Sequence, residues 1–237
     1  MRLVLLFFLS AVLCSAGSAQ TREEVLEKFK ELNSQAAALE KSILSPDKKD
    51  LETAAREAVG VFRILPREVY DKGLFNVRGG GAYYSFTNQS HSYDSTPQIS
   101  LEQNYLKVGF YGASYGFLTD LGEIGLAAIN EDNKAVDFLK NYRPPLEEPK
   151  ARIEQTKARD FEAENIGYKN RLNAIVGHTY LVRAVSYDEA DVLVALKIYR
   201  QDTDGSLIIF WKLLENFEKP KLLRERQSAV VVDNVDK

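Results

Sequence analysis

The stretch Asn173–Phe217, NAIVGHTYLVRAVSYDEADVLVALKIYRQDTDGSLIIFWKLLENF, decides the fold class. It holds three strand-like runs, residues 173–186, 191–200 and 206–217, rich in β-branched and aromatic side chains that fit a pleated surface. Asp188-Glu189 lie in the first connection and Asp204-Gly205 in the second. An Asp-Gly pair between apolar runs is a strong hairpin signal. Links this short allow antiparallel pairing only, because a parallel pair needs a crossover of about a dozen residues. The reading is a three-stranded meander over residues 166–218. Within it, Leu207-Ile208-Ile209-Phe210-Trp211 is apolar at successive positions, which predicts a strand covered on both faces.

Upstream, residues 61–130 read as more antiparallel sheet. Val61 to Leu65 is a short strand ended by Pro66, and Leu74 to Arg78 alternates. Ala82, Tyr84 and Phe86 share one face, Ile99 and Leu101 alternate with Ser100 and Glu102, and Leu106, Val108 and Phe110 alternate with their neighbours. Period-two runs separated by polar turns indicate antiparallel sheet, not strand–helix–strand units. Residues 131–165 read as a helix and a charged linker: Asn130 caps, Ala135, Val136, Phe138, Leu139 and Tyr142 form an apolar side, and Pro144-Pro145 stop it. Glu147 to Asn165 is a solvated helix or a linker, and residues 219–237 form a charged tail.

Residues 20–60 read as a helical hairpin. Thr21 and Glu24 make a capping box, and Val25, Phe29, Leu32, Ala36, Leu39 and Ile43 recur at alternating spacings of four and three, a heptad seam. Ser45-Pro46 opens a second helix, with Gly60 as its stop. The seam packs either on this following helix or on another copy of the chain. Residues 1–19 read as a cleavable signal peptide: Arg2 is followed by an apolar run from Leu3 to Leu13, and Gly17 and Ala19 are the small pair that predicts cleavage before Gln20. The fold class expected is therefore α+β: an N-terminal helical hairpin, then mostly antiparallel sheet with one or two interrupting helices, closed by the meander. The location expected is the periplasm or the extracellular space.

Gly177-His178-Thr179-Tyr180-Leu181-Val182-Arg183, Asp191-Val192-Leu193-Val194-Ala195, Asp204-Gly205-Ser206 and Trp211-Lys212 resemble a stretch found in uncharacterised secreted bacterial proteins. The resemblance is confined to the C-terminal part of the chain. It implies a bacterial source and carries no activity or residue role with it.

Composition removes several chemistries. Cys14 is the single cysteine and lies in the leader, so the processed chain has no disulfide, thiolate nucleophile or thiolate metal ligand. The net charge of −3 argues against nucleic acid, which requires a basic face. The two histidines, His91 and His178, are far apart and lack the spacing of a helical zinc pair. No metal and no cofactor is expected. Gly79-Gly80-Gly81 lacks the lysine and hydroxyl residue of a phosphate loop.

Two constellations remain. Gly112-Ala113-Ser114-Tyr115-Gly116 fits G-x-S-x-G, with His178 downstream as base, Asp120, Asp132, Asp137 or Asp160 as third member, and Gly79–Gly81 upstream as an oxyanion loop. This is an esterase-like alternative. The glycines after Ser114 oppose the helix that a nucleophile elbow needs, since each costs about 1 kcal/mol in a helix. The second is aromatic: Tyr83, Tyr84, His91, Tyr93, Tyr111 and Tyr115 cluster around a polar loop. Tyrosine offers a flat apolar face with a polar tip, which suits binding surfaces and sugar faces. The leading reading is an exported, non-catalytic binding protein whose partner is a protein or glycan of the cell envelope. A third reading is a scaffold that forms homo-oligomers through residues 21–44.

Overall fold

A computed structural model describes residues 21–71, 80–91, 96–110, 112 and 114–224. The chain divides into two units, residues 1–42 and 43–237, and each is described by itself.

The first unit is nearly all of helix α1 (Arg22–Leu44). Its capping box forms as read: the Thr21 N–H donates to Glu24 Oε2 at 2.9 Å, and the Glu24 N–H donates to Thr21 Oγ1 at 3.2 Å. Val25, Phe29, Leu32, Leu39 and Ile43 are between 37 % and 65 % exposed.

In the second unit, helix α2 (Lys48–Glu57) starts later than Ser45-Pro46 predicts and ends before Gly60. Ala58 adopts the left-handed conformation (φ 54°) that closes it. Asp47 occupies the N-cap without capping through its side chain. Its carboxylate is engaged elsewhere, by Arg200 Nη2 at 2.8 Å and Arg63 Nη2 at 3.4 Å. Arg200 also holds Asp50 and Asp202, so two arginines and three aspartates tie α2 to the sheet beneath it.

A seven-stranded antiparallel sheet forms the centre. Its members are β1 (Gly60–Ile64), β5 (Tyr115–Asp120), β6 (Asp160–Ala163), β7 (Ile166–Lys169), β9 (Thr179–Ser186), β10 (Ala190–Gln201) and β11 (Leu207–Asn216), in the order β1-β11-β10-β9-β5-β7-β6. The meander read from the sequence is its middle. A four-stranded sheet of β2 (Tyr83–Tyr84), β3 (Ile99–Glu102), β4 (Tyr105–Lys107) and β8 (Arg171–Asn173) accompanies it in the order β2-β3-β4-β8. Three further helices are α3 (Arg67–Asp71), α4 (Lys134–Asn141) and α5 (Glu148–Lys157).

Alternation along β11 shows how the layers are built. Leu207, Ile209 and Trp211 join one core with Tyr84, Phe86, Ile99, Leu101 and Leu106, residues of the smaller sheet and the turn after β2. Ile208 and Phe210 join the other core with Ala135, Val136 and Leu139 of α4 and Ala151 of α5. The strand is covered on both faces, as its unbroken apolar run requires.

Inside the second core, Arg183 is 1 % exposed. Its Nε and Nη2 donate to the two oxygens of Asp191 at 2.6 and 2.8 Å, and its Nη1 donates to the Leu139 carbonyl at 2.5 Å. The guanidinium lies 3.3 Å from the centre of the Phe217 ring. Burial pushes the Asp191 carboxyl upward in pKa, and the bonds from Arg183 pull it down.

Several local expectations are corrected. Asn133, not Asn130, caps α4, accepting from the N–H groups of Ala135 and Val136. Asn130 instead makes a local turn to the Asp132 N–H. Glu147 to Asn165 is not a linker throughout: α5 is the solvated helix, and β6 follows it and pairs with β7 through Glu164-Asn165, both at positive φ. The alternating run at 74–78 and the apolar stretch at 229–232 lie outside the described residues. Among the described residues no helix is long and apolar enough to cross a membrane.

Candidate functional site

The structure sets the esterase constellation apart. Ser114 directly precedes strand β5, with no helix after it. Its backbone carbonyl and that of Gly112 accept from Gln155 Nε2 at 2.9 and 3.1 Å, which closes the loop onto α5. His178 stands at the opposite end of the same strand pair, because β5 and β9 run from Tyr115↔Val185 to Asp120↔Tyr180. Six residues of extended chain put about 20 Å between Ser114 and Asp120, and it is Asp120 that holds His178. His178 Nδ1 lies 2.9 and 3.0 Å from the two carboxylate oxygens, and the Gly122 N–H donates to Oδ1 at 2.8 Å. The pair fastens the turn into β9. Of the upstream glycines, Gly81 lies in a 3₁₀ turn, Gly80–Ala82, and offers its carbonyl to the Leu65 N–H at 3.0 Å. Asp132, Asp137 and Asp160 lie on other elements, and among the described residues no group of three His, Cys, Asp or Glu side chains is placed to hold a metal ion.

The aromatic constellation assembles differently from the expected surface. Tyr83, Tyr84 and Tyr115 are buried, while Tyr93 and Tyr111 lie outside the described residues. The burial follows from the pleat. Tyr84 faces the central sheet, where its ring stacks on Phe62 with centroids 3.8 Å apart and 5° between planes. Phe86 meets both rings edge-on at 5.9 and 5.5 Å. His91 lies edge-on to Tyr84 at 5.1 Å, and its Nε2 is 2.6 Å from the Arg63 carbonyl oxygen. Because a carbonyl only accepts, Nε2 carries the proton and donates. Burial pushes the His91 imidazole below its usual pKa, against the raising effect of that bond. Burial likewise pushes the Tyr84 phenol up to about 12.

Tyr115 belongs to the other core. Its hydroxyl is 2.7 Å from that of Tyr142, which donates to Glu154 Oε2 at 3.0 Å, so Tyr115 is the donor to Tyr142. Burial raises both phenols first, and their mutual hydrogen bond adjusts them after it. This chain ties β5 to α4 and α5 and is structural.

Pattern reading placed Trp211, the chain's single tryptophan, in a covered strand and did not mark it as a site residue. Its ring lies 5.1 Å from Phe86 and 6.3 Å from Tyr84. Together they form the aromatic wall of a cleft of about 530 Å³ that is also lined by residues 58–61, Thr87, Gln89, Val192, Lys212, Leu213 and Asn216. The indole fits only because position 60 is glycine: a Cβ there would come within 2.3 Å of Nε1. Trp211 Nε1 is buried and has no hydrogen-bond partner among the described residues. Lys212 is the single charged residue among the described residues of this lining, and its ammonium is turned away, donating to the Ile129 carbonyl at 2.7 Å. The cleft thus has an aromatic wall and neutral amide and hydroxyl groups at Thr87, Gln89 and Asn216. Its volume is in the range of small-ligand sites.

No protein-family model, no curated protein and no solved structure matches the chain.

Proposed function

We propose that this chain is an exported, non-catalytic binding protein, and that its ligand is an uncharged glycan of the cell envelope seated in the Trp211 cleft. The observation that carries the reading is the aromatic wall of Trp211, Phe86 and Tyr84 beside the neutral hydrogen-bonding groups of Thr87, Gln89 and Asn216. Sugars match this lining. Their C–H faces pack on aromatic rings, and their hydroxyls exchange bonds with amides at no charge-desolvation cost. Export is supported by the leader-like residues 1–19 and by a remainder that contains no cysteine.

Trp211 supplies its own assay, since all tryptophan emission comes from one site. Titration with neutral glucose and N-acetylglucosamine oligomers should give a saturable change in emission with at least one series. Asn216→Ala and Gln89→Ala should weaken that binding about 10-fold each, the loss of roughly one hydrogen bond. Emission unchanged by every neutral oligomer tested would dispose of the glycan reading. Sequencing the N-terminus of protein recovered from the cell should begin at Gln20. Met1 in place on cytosolic protein would remove the export premise.

A further inference from the structure

Helix α1 carries six apolar positions at heptad spacing, and its large ones are open to solvent in the described chain. Helices in proteins gain most of their stability by burying an apolar face. What covers the face can be read from its pattern. Val25, Leu32 and Leu39 fall on one heptad position, d, and Phe29, Ala36 and Ile43 on the other, a. A strict 3.5-residue repeat is the signature of a helix that packs on another helix. A lipid surface is a poor match, because it selects a basic polar face, whereas residues 22–44 carry Glu23, Glu24, Glu27, Glu31 and Glu40 against Arg22, Lys28, Lys30 and Lys41.

We propose that the occupant is α1 of a second copy of this chain, running antiparallel. Layer volumes choose the orientation. A parallel, in-register pair would set Phe29 against Phe29 and Ala36 against Ala36, one layer overfilled and another nearly empty. The antiparallel pair sets Val25 against Ile43, Phe29 against Leu39, and Leu32 against Ala36, so that no layer holds two phenylalanines or two alanines. Close packing at uniform density favours the second arrangement. The flanking positions agree with it. Leu26 then faces Glu40, Asn33 faces Asn33, Lys28 faces Ser42 and Gln35 faces Gln35, with no like charges opposed. Antiparallel helix dipoles also attract. This inference is independent of the cleft and its ligand.

The test uses the purified protein as the cell produces it. Sedimentation velocity should show a dimer at micromolar concentration. Leu32→Asp, which removes a buried leucine from each of two symmetry-related layers, should weaken dimerisation about 100-fold or more. It should leave the circular dichroism of the sheet and the melting temperature of monomeric protein unchanged. Orientation is read by oxidative cross-linking in a Cys14→Ser background. Asn33→Cys should cross-link, because its two copies face each other. Val25→Cys should not, because antiparallel pairing separates its copies by about 27 Å along the axis. A protein that stays monomeric at 100 μM would overturn the proposal (a concentration chosen well above the expected range). So would cross-linking through Val25→Cys, or recovery of α1-dependent binding only on lipid vesicles.

Discussion

Replacing Asp191 by asparagine should damage this protein more than replacing both members of its ion pair by apolar residues. Arg183 is 1 % exposed, and three of its N–H groups are directed at Asp191 and the Leu139 carbonyl. Asparagine keeps the shape and one acceptor but removes the charge, and its amide group confronts a donor. The guanidinium is then left buried with one amide oxygen, the Leu139 carbonyl and the Phe217 ring, and with no counter-charge. Removing one partner of a buried pair costs about 3–5 kcal/mol. For a chain of this size that lowers the melting temperature by about 6–20 °C. In the Arg183→Met, Asp191→Leu double variant no charge is buried. Its loss is limited to the orphaned Leu139 carbonyl and the contact with Phe217, about 1–3 kcal/mol. Urea unfolding followed by Trp211 emission and by far-ultraviolet circular dichroism measures all three proteins, and coincidence of the two signals tests two-state behaviour. If Asp191→Asn proved milder than the double variant, the reasoning would be refuted, because the buried charge would not be the dominant liability.

Three smaller predictions use the same assay. Gly60→Ala should cost about 1–3 kcal/mol by overpacking against Trp211, outweighing the roughly 0.5–1 kcal/mol that alanine gains over glycine in a strand; unchanged emission and midpoint would contradict the close approach. Asn133→Ala removes the N-cap of α4 and should cost about 1 kcal/mol, with Asn130→Ala nearly silent by comparison. His91 is held neutral by burial, with its pKa below the unfolded value. As pH falls below about 6.5 the unfolded chain takes up the proton first, so the stability contributed by His91 is present above that pH and is lost below it. His91→Gln retains a donor for the Arg63 carbonyl without titrating, so its stability should change relative to the parent between about pH 6.5 and 5. Parallel stability curves across that window would count against the buried neutral imidazole.

The α+β class, the meander at 179–216, the two-sided burial of Leu207–Trp211 and the capping box of α1 were legible in the sequence. Each leaves its mark in the pattern of near neighbours along the chain, even where distant elements supply the cover. Alternation, short turns and caps are local geometry, so local pattern suffices to read them. The edge hairpin of β6 and β7 was hidden because Asp160–Ala163 has one side open to solvent and carries charges that mimic a linker. The site was less legible still. G-x-S-x-G could be matched by spacing, but whether Ser114 meets His178 depends on the register of β5 against β9, and that register places them at opposite ends. Tyr84 and His91 carried the composition of a binding surface; Tyr84 is buried under the second sheet and shows only as part of the cleft wall, and His91 is half-buried against its ring. Trp211 gave no signal of its own. Its importance comes from Gly60 beside it, about 150 residues earlier in the chain, and from Phe86 across the layer. Periodicity, which acts within a few residues, determined the elements; the pairing of distant strands, which trades chain entropy against buried area over the whole domain, decided which side chains share a cleft.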